Sequence, residues 1–324
     1  MSVIKVDNLS KNFKIEKKIN GNFFNKINNY FFPSYETLEA INNLNFKINQ
    51  NERVAFIGPN GAGKSTTIKI LTGIMQPTSG SVKILKKDPI KDRKKLAYKI
   101  SVIFGHCSKL WLHLPVIESL DLLSAIYEIP LNEYKKTRDS LIDLFLIGKF
   151  LHKPVRQLSL GERMRCELVA SFIHKPKVIF LDEPTIGLDI SAKAIMRNLL
   201  RDMCENWDCT LLLTSHDAHD IEIVCDRVIL INKGKCVIDS SLENMLKNII
   251  KKKIITVLFE KINPFIEMEG INIVERMPYK VKFEIDLKTI TESYVVQMLM
   301  KKHKILDITI ERPSLETIIK TFYN

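Results

Sequence analysis

The sequence lacks any uncharged apolar run of about eighteen residues, the length a helix needs to cross a bilayer, so no segment reads as a membrane span. Its opening stretch, MSVIKVDNLSKNF, lacks the apolar core and cleavage site of a signal peptide, and the expectation is a cytosolic chain. No Cys-x-x-Cys pair occurs among Cys107, Cys166, Cys204, Cys209, Cys225 and Cys236, and zinc-like spacing is missing as well. The cysteines read as reduced thiols that fill packing positions rather than as a redox device. Internal repeats are absent. Acid is in short supply, with 37 Asp and Glu against 49 Lys and Arg, a formal net charge of +12. That sign suits a polyanionic partner such as nucleic acid, anionic lipid or nucleotide. The cations are spread along the chain, however, and read equally as a solvated surface.

What is present suits a globular protein: 324 residues, 45% hydrophobic and 27% charged, enough for one large domain and a small one. Residues 3–15 read as a strand carrying Val3, Ile4, Val6 and Leu9, and Ile41–Ile48 reads as a second. Between them lies an insert, Lys17–Glu36, with Ile19, Phe23, Phe24, Ile27, Phe31 and Phe32 among lysines and asparagines. Its spacing approximates a basic amphipathic helix stopped by Pro33. Such a helix leans on a membrane partner or lipid headgroups, or else packs on the protein's own core.

Arg53–Ile57 is a short apolar strand that runs into a Gly-rich turn and then a helix, about Lys64–Thr72. Val116–Tyr127 reads as a helix with Pro115 near its start and Pro130 at its end. Val178–Leu181 and Thr210–Thr214 read as buried strands. Strands alternating with helices imply an α/β sheet covered on both faces. Near residue 240 the character changes. Ile254–Phe259, Val281–Ile285 and Ile305–Ile310 read as strands, and Ser293–Lys302 and Leu315–Phe322 as helices, together a small α+β domain.

Three motifs carry chemistry. Gly58-Pro59-Asn60-Gly61-Ala62-Gly63-Lys64-Ser65, followed by Thr66, matches the G-x-x-x-x-G-K-[ST] phosphate loop in its required strand–loop–helix setting. Glycines let the backbone wrap a phosphate, successive N–H groups point inward, and the next helix offers its positive end. Lys64 should reach the β- and γ-phosphates, and Ser65 should bind Mg²⁺. The second motif, Val178-Ile-Phe-Leu-Asp182-Glu183, is an apolar strand that ends in two acids. Asp182 suits Mg²⁺, and Glu183 suits polarising an attacking water. The third, Leu158-Ser159-Leu160-Gly161-Glu162, opens a helical stretch shortly before the acidic strand.

With Asp182-Glu-Pro-Thr-Ile-Gly-Leu-Asp189 and Leu213-Thr-Ser-His216, this order of motifs over residues 1–240 resembles the ATP-binding cassette (ABC) family. The resemblance implies a P-loop ATPase domain over residues 1–240, with a RecA-like core sheet, an antiparallel β subdomain and a helical subdomain. Residues 241–324 would form the α+β accessory domain. It implies an ATPase that energises transport, with ATP and Mg²⁺ as ligands, a homodimer, and integral-membrane permease chains as partners at the cytoplasmic face; nucleic acid is not expected.

The same resemblance implies roles for single residues. Ser159, Leu160, Gly161 and Glu162 form the signature that reaches the partner's γ-phosphate, and Asp189 lies at the dimer seam. His216 is the switch histidine, a better account than a metal pair with His219. Phe13 stacks on adenine or packs in the core. Two departures stand out. The usual Leu-Ser-Gly-Gly-Gln reads here with Leu160 and Glu162. In Val102-Ile-Phe-Gly-His106, histidine takes the place of the glutamine that binds Mg²⁺. His106 either joins Mg²⁺ or only packs in its loop. Leu110-Trp-Leu-His-Leu-Pro-Val-Ile-Glu118 and the insert resemble exporter ATPases with separate permeases; Trp111 and Leu112 receive the permease, or Trp111 is core. The rival readings are a soluble ABC ATPase on nucleic acid or ribosomes, and a weakly hydrolysing regulator.

Overall fold

Strand β1 (Ser2–Glu16) pairs antiparallel with β2 (Tyr35–Asn49) on one side and β4 (Ser79–Ile84) on the other. Alternation sets their faces: Ile4 and Val6 on β1, and Leu44, Phe46 and Ile48 on β2, are buried, while their neighbours are more exposed. β2 begins at Tyr35, so Tyr35 and Glu36 belong to this sheet rather than to the insert. The computed structural model describes residues 1–16, 35–105, 108–246, 252–262, 271–287, 289–311 and 315–316. The expected amphipathic helix and Pro33, and the expected metal residue His106, lie outside the described residues.

The second sheet has the order β5 (Ile100–Phe104), β6 (Val178–Asp182), β7 (Thr210–Thr214), β3 (Arg53–Ile57), β8 (Arg227–Asn232), β9 (Lys235–Ser241). From β5 through β8 all pairings are parallel. Every residue of β6 and β7 is buried, as expected of parallel strands covered on both faces. One apolar cluster fills the space under both sheets, joining Ile4, Leu44 and Ile48 to Phe56, Phe180, Leu212 and Ile229. Each such side chain contributes about 1.5–3 kcal/mol when fully buried.

Helices α1 (Lys64–Leu71) and α2 (Arg93–Ala97) lie in the chain between β3 and β5. The connection from β5 to β6 is a run of helices, α3 (Val116–Ile126), α4 (Leu131–Phe145) and α5 (Leu160–Phe172). Pro130 caps the start of α4 rather than closing α3, which ends at Ile126. α4 was not among the expected elements because its sequence is mostly polar. Its buried residues Tyr134, Thr137, Leu141 and Phe145 nevertheless fall at helical spacing. α6 (Ile190–Asn206) and α7 (Ala218–Val224) flank β7 in sequence. Cys166, Cys204, Cys209 and Cys225 are buried and Cys236 is half-buried, all as free thiols. Burial pushes the Cys204 thiol up to about 12, which suits inert packing.

The chain divides into two compact units, Met1–Ser240 and Ser241–Asn324. In the second, β10 (Lys252–Phe259), β11 (Ile271–Arg276), β12 (Lys280–Asp286) and β13 (Ile305–Glu311) form an antiparallel sheet in the order β11-β12-β10-β13. That is the strand order of a split β-α-β sheet. Helix α8 (Glu292–Lys302) supplies Val295 and Leu299 to a separate core with Ile255, Val257, Phe283 and Ile285. β11 was not expected: it is an edge strand with little buried surface. Of the expected closing helix, only Leu315 and Glu316 are described, and both are helical.

Candidate functional site

β3 delivers the chain from a buried strand into Gly58, and α1 starts at Lys64. Two glycines in between are required by close approach. A Cβ on Gly58 would lie 2.3 Å from the Ile231 carbonyl oxygen; at Gly63, where φ is +101°, it would lie 2.5 Å from that of Ala40. No side chain caps α1, and no acid stands in its first turn. Its free N–H groups therefore present an anion site made by the backbone. Lys64 is buried, and its Nζ donates to the carbonyls of Gly58 (2.7 Å) and Pro59 (3.2 Å). Burial holds the Lys64 ammonium below the ordinary lysine value, while the nearby carboxylates of Glu183 and Asp182 oppose that shift. Asn60, Gly61 and Ser65 are exposed, Pro59 and Thr66 half-buried, and Ala62 buried.

The parallel register of β6 and β7 sets Asp182 opposite Thr214, the last residue of each strand. Thr214 Oγ1 donates to Asp182 Oδ1 at 2.6 Å. The Glu183 N–H donates to both the carbonyl and the hydroxyl oxygen of Thr214, each at 3.1 Å. Glu183 has φ +55°, a left-handed conformation uncommon for a residue with a side chain, and these bonds hold it there. The two strand exits then place Glu183 Oε1 2.8 Å from His216 Nε2. Lys64, Asp182, Glu183 and His216 thus come together, and Thr214, to which the sequence reading gave no role, pins two of them. His219 instead faces Glu222 at 3.6 Å, so the two histidines do not form a pair.

From the neighbouring strand, the Gly105 N–H donates to the Asp182 carbonyl at 3.1 Å. Beyond His106, Ser108 Oγ and the Lys109 N–H both donate to the buried Glu167 carboxylate on α5. Trp111 and Leu112 follow, 40% and 45% exposed, so Trp111 is a surface residue rather than core. Phe13 is half-buried on β1 and lies outside the large apolar cluster, with Lys11 Nζ 5.2 Å from its ring centroid.

The signature residues are elsewhere. Ser159 caps α5 by accepting from the Glu162 N–H at 3.3 Å, and the Glu162 carboxylate accepts from the Ser159 N–H at 2.8 Å, a reciprocal capping box. The acid that departs from the usual glutamine is therefore spent on its own helix start. Leu160 is 39% exposed and packs over Gly187, where an added Cβ would meet Leu160 Cδ2 at 2.9 Å. Asp189 caps α6 by accepting from the Ala192 N–H at 2.8 Å. Ser159–Glu162 and Gly187–Asp189 line one cleft of about 380 Å³, whose wall includes none of Lys64, Asp182, Glu183 or His216.

A Mg²⁺ ion fits the first group only in company with phosphate. Among the described residues no three His, Cys, Asp or Glu side chains gather as a metal site. The Ser65 hydroxyl and the Asp182 carboxylate are hard oxygen donors, too few to hold the ion alone, which is how Mg²⁺ sits in nucleotide sites.

Comparison with known proteins points the same way. A family model described as ABC transporter matches residues 41–186. The chain is 36% identical over 198 residues to the zinc import ATP-binding protein ZnuC of Acinetobacter baylyi, covering 61% of this chain and 70% of that protein. It is 27% identical over 218 residues to the ABC transporter ATP-binding protein NatA of Bacillus subtilis, covering 67% of this chain and 88% of that one. Against A-family ABC transporters 1 and 8 of Dictyostelium discoideum it spans only 23% and 24% of the relative's length. In fold it is similar to the ADP- and phosphate-bound dimer of the ATP-binding cassette MJ0796, with a TM-score of 0.61 at 24% identity over 74% of this chain and 98% of that one.

Proposed function

The chain belongs to the family of ABC transporter ATP-binding proteins, and we propose that it binds and hydrolyses ATP to energise transport, outward, through a separate membrane permease. One observation carries the reading: the β6–β7 register delivers Asp182, Glu183 and His216 to one edge, within electrostatic reach of the phosphate-loop lysine. A strand sheet that spends two buried exits on a carboxylate pair and a histidine, beside a backbone anion site, is equipped for phosphoryl transfer to water.

Loop N–H groups between Asn60 and Thr66 and the Lys64 ammonium hold the β- and γ-phosphates. Ser65 and Asp182 would hold Mg²⁺, which when bound neutralises phosphate charge; His106 stands as a further candidate ligand. Glu183 accepts a proton from, and so orients, the water that attacks the γ-phosphorus, and His216, whose Nε2 faces that carboxylate, is the switch that meets the γ-phosphate when ATP is bound. Phe13 stacks on adenine. Two copies meet head to tail, so that Ser159–Glu162 of one chain close over the phosphates held by the other, with Asp189 at the seam. MJ0796 supports this arrangement by being a dimer with ADP and phosphate. The exposed Trp111 and Leu112, and the likeness over 88% of NatA, an ABC transporter ATP-binding protein, support a separate permease and a peripheral place at the cytoplasmic face. Among the described residues, no helix is long and apolar enough to cross a membrane. Residues 1–240 form the nucleotide-binding domain, and residues 241–324 are accessory.

Glu183→Gln tests the core of this reading. It should retain ATP binding, lose turnover and accumulate as an ATP-bound dimer in sedimentation velocity. A variant that hydrolyses ATP at the parent rate overturns the assignment.

A further inference from the structure

Asp220, on α7, is fully buried, and its carboxylate is shared by three other segments. Thr185 Oγ1 and Ser215 Oγ both donate to Oδ2, at 2.5 and 2.6 Å, and Arg197 Nε of α6 donates to Oδ1 at 2.5 Å. Arg197 is itself buried, and its second arm donates to Asp217 Oδ2 at 2.8 Å, where Lys193 Nζ also arrives at 3.0 Å. The positions of the two hydroxyl donors matter most. Thr185 lies two residues after Glu183, and Ser215 lies one residue before His216. The 2.8 Å contact between Glu183 and His216 is therefore clamped twice: by Thr214 at the strand ends, and by Asp220 beyond them.

A buried carboxylate is expensive to desolvate, and an apolar side chain in the same place would serve stability as well or better. What an apolar side chain cannot do is accept from two hydroxyls of different loops at one oxygen and so fix their spacing. Glu183, held in a left-handed conformation, needs such over-determined surroundings. We infer that Asp220 is a positioning residue for ATP hydrolysis: through Thr185 and Ser215 it sets the register of Glu183 against His216. Arg197 ties that grip to α6, the helix that Asp189 caps. The inference rests on the role of Glu183 given above.

Kinetics of the full-length chain test it with two variants. Asp220→Asn removes the charge. The double variant Thr185→Val/Ser215→Ala removes both hydroxyl donors and leaves the Asp220–Arg197 pair in place. Each should lower kcat by about tenfold to a hundredfold while KM for ATP changes less than about twofold, at a temperature where circular dichroism shows the variant folded. In a Glu183→Gln background, single-turnover rates should fall little further, since residues that act through one group do not add. An unchanged kcat in Thr185→Val/Ser215→Ala overturns the inference, and so does a loss that adds in full to that of Glu183→Gln. Should Asp220→Asn fail to fold, the hydroxyl-pair variant decides alone. If instead the parent chain shows no ATPase activity, or Glu183→Gln matches it, the reading of the site fails and this inference falls with it.

Discussion

Around Glu183 the polar groups are bonded to residues from other elements, whereas around Ser159 the bonds close within a single helix turn. Asp182 is tied to Thr214 across two strands, and His216 reaches Glu183 from a separate strand exit. Among the described residues, the side chains of Ser159 and Glu162 bond to each other's backbone, and the Asp189 side chain bonds to the turn that follows it. At the heart of the first group Thr214 and Asp182 are buried, with only His216 exposed; in the second, Leu160 and Ile190 are exposed, Ile190 at 86%. The first group is assembled by the fold of one chain. The second is a finished local structure with an exposed surface, which is what the proposed completion by a second copy requires.

The comparison breaks most visibly at Thr214. Thr214→Val keeps the shape but removes the hydroxyl that Asp182 and the Glu183 N–H share. Leaving a buried acceptor short of a partner costs about 1–3 kcal/mol of stability. The larger effect falls on turnover, which should drop by about a hundredfold as the carboxylate loses its fixed aim. Urea unfolding and steady-state ATPase rates check the two parts separately. A Val variant with the parent kcat would show that Glu183 is held well enough by the backbone bond alone.

How legible each region was follows from the same contrast. The apolar runs of β6 and β7 are visible in the sequence because both faces of each strand are covered. The register that sets Asp182 against Thr214 is not, since nothing local in either strand encodes its neighbour. Nor does any local pattern show that β3 sits between β7 and β8. The Asp220–Arg197 pair joins residues on two helices, and a buried arginine is written in the sequence like an exposed one. The phosphate loop was legible throughout, because contacts of its glycines with the Ile231 and Ala40 carbonyls exclude other residues. The signature was legible as a motif, but its Ser-x-x-Glu spacing is also a helix-start signal, and that second use of Glu162 emerges only from the geometry.

The next effect is smaller and falls on the other region. Ile190→Asp puts a charge on a side chain that touches little of its own chain, so the stability of the monomer should change by no more than about 0.5 kcal/mol. In a Glu183→Gln background with ATP, the same change should weaken the dimer by about tenfold, because a charge would be desolvated at the seam. Sedimentation at several protein concentrations measures this. Equal dimerisation with and without the substitution would remove Ile190 from the seam and leave the proposed completion by a second copy without its apolar anchor.

The smallest effect is at Glu162, and pH reveals it. The Ser159 N–H bonded to its carboxylate holds Glu162 below the ordinary glutamate value. A carboxylate whose folded-state pKa is depressed contributes stability that is fully present above its unfolded value, near 4.3. That contribution is lost as pH falls through the lower folded-state value. The side chain is half-buried and its bond lies at the solvent-facing first turn of a helix, so the contribution is no more than about 0.5 kcal/mol. Glu162→Gln keeps a capping-box side chain but cannot titrate. The parent should therefore exceed the variant slightly in urea stability at neutral pH, and the gap should close as the solution is acidified below the ordinary glutamate value. ATP turnover should survive, because the amide still caps α5 and glutamine is the residue the family signature usually carries at this place. A gap that stays constant from neutral to acid pH would mean that the Glu162 charge contributes nothing to the cap. A collapse of turnover at neutral pH would mean that the two regions are not built as independently as their bonds imply.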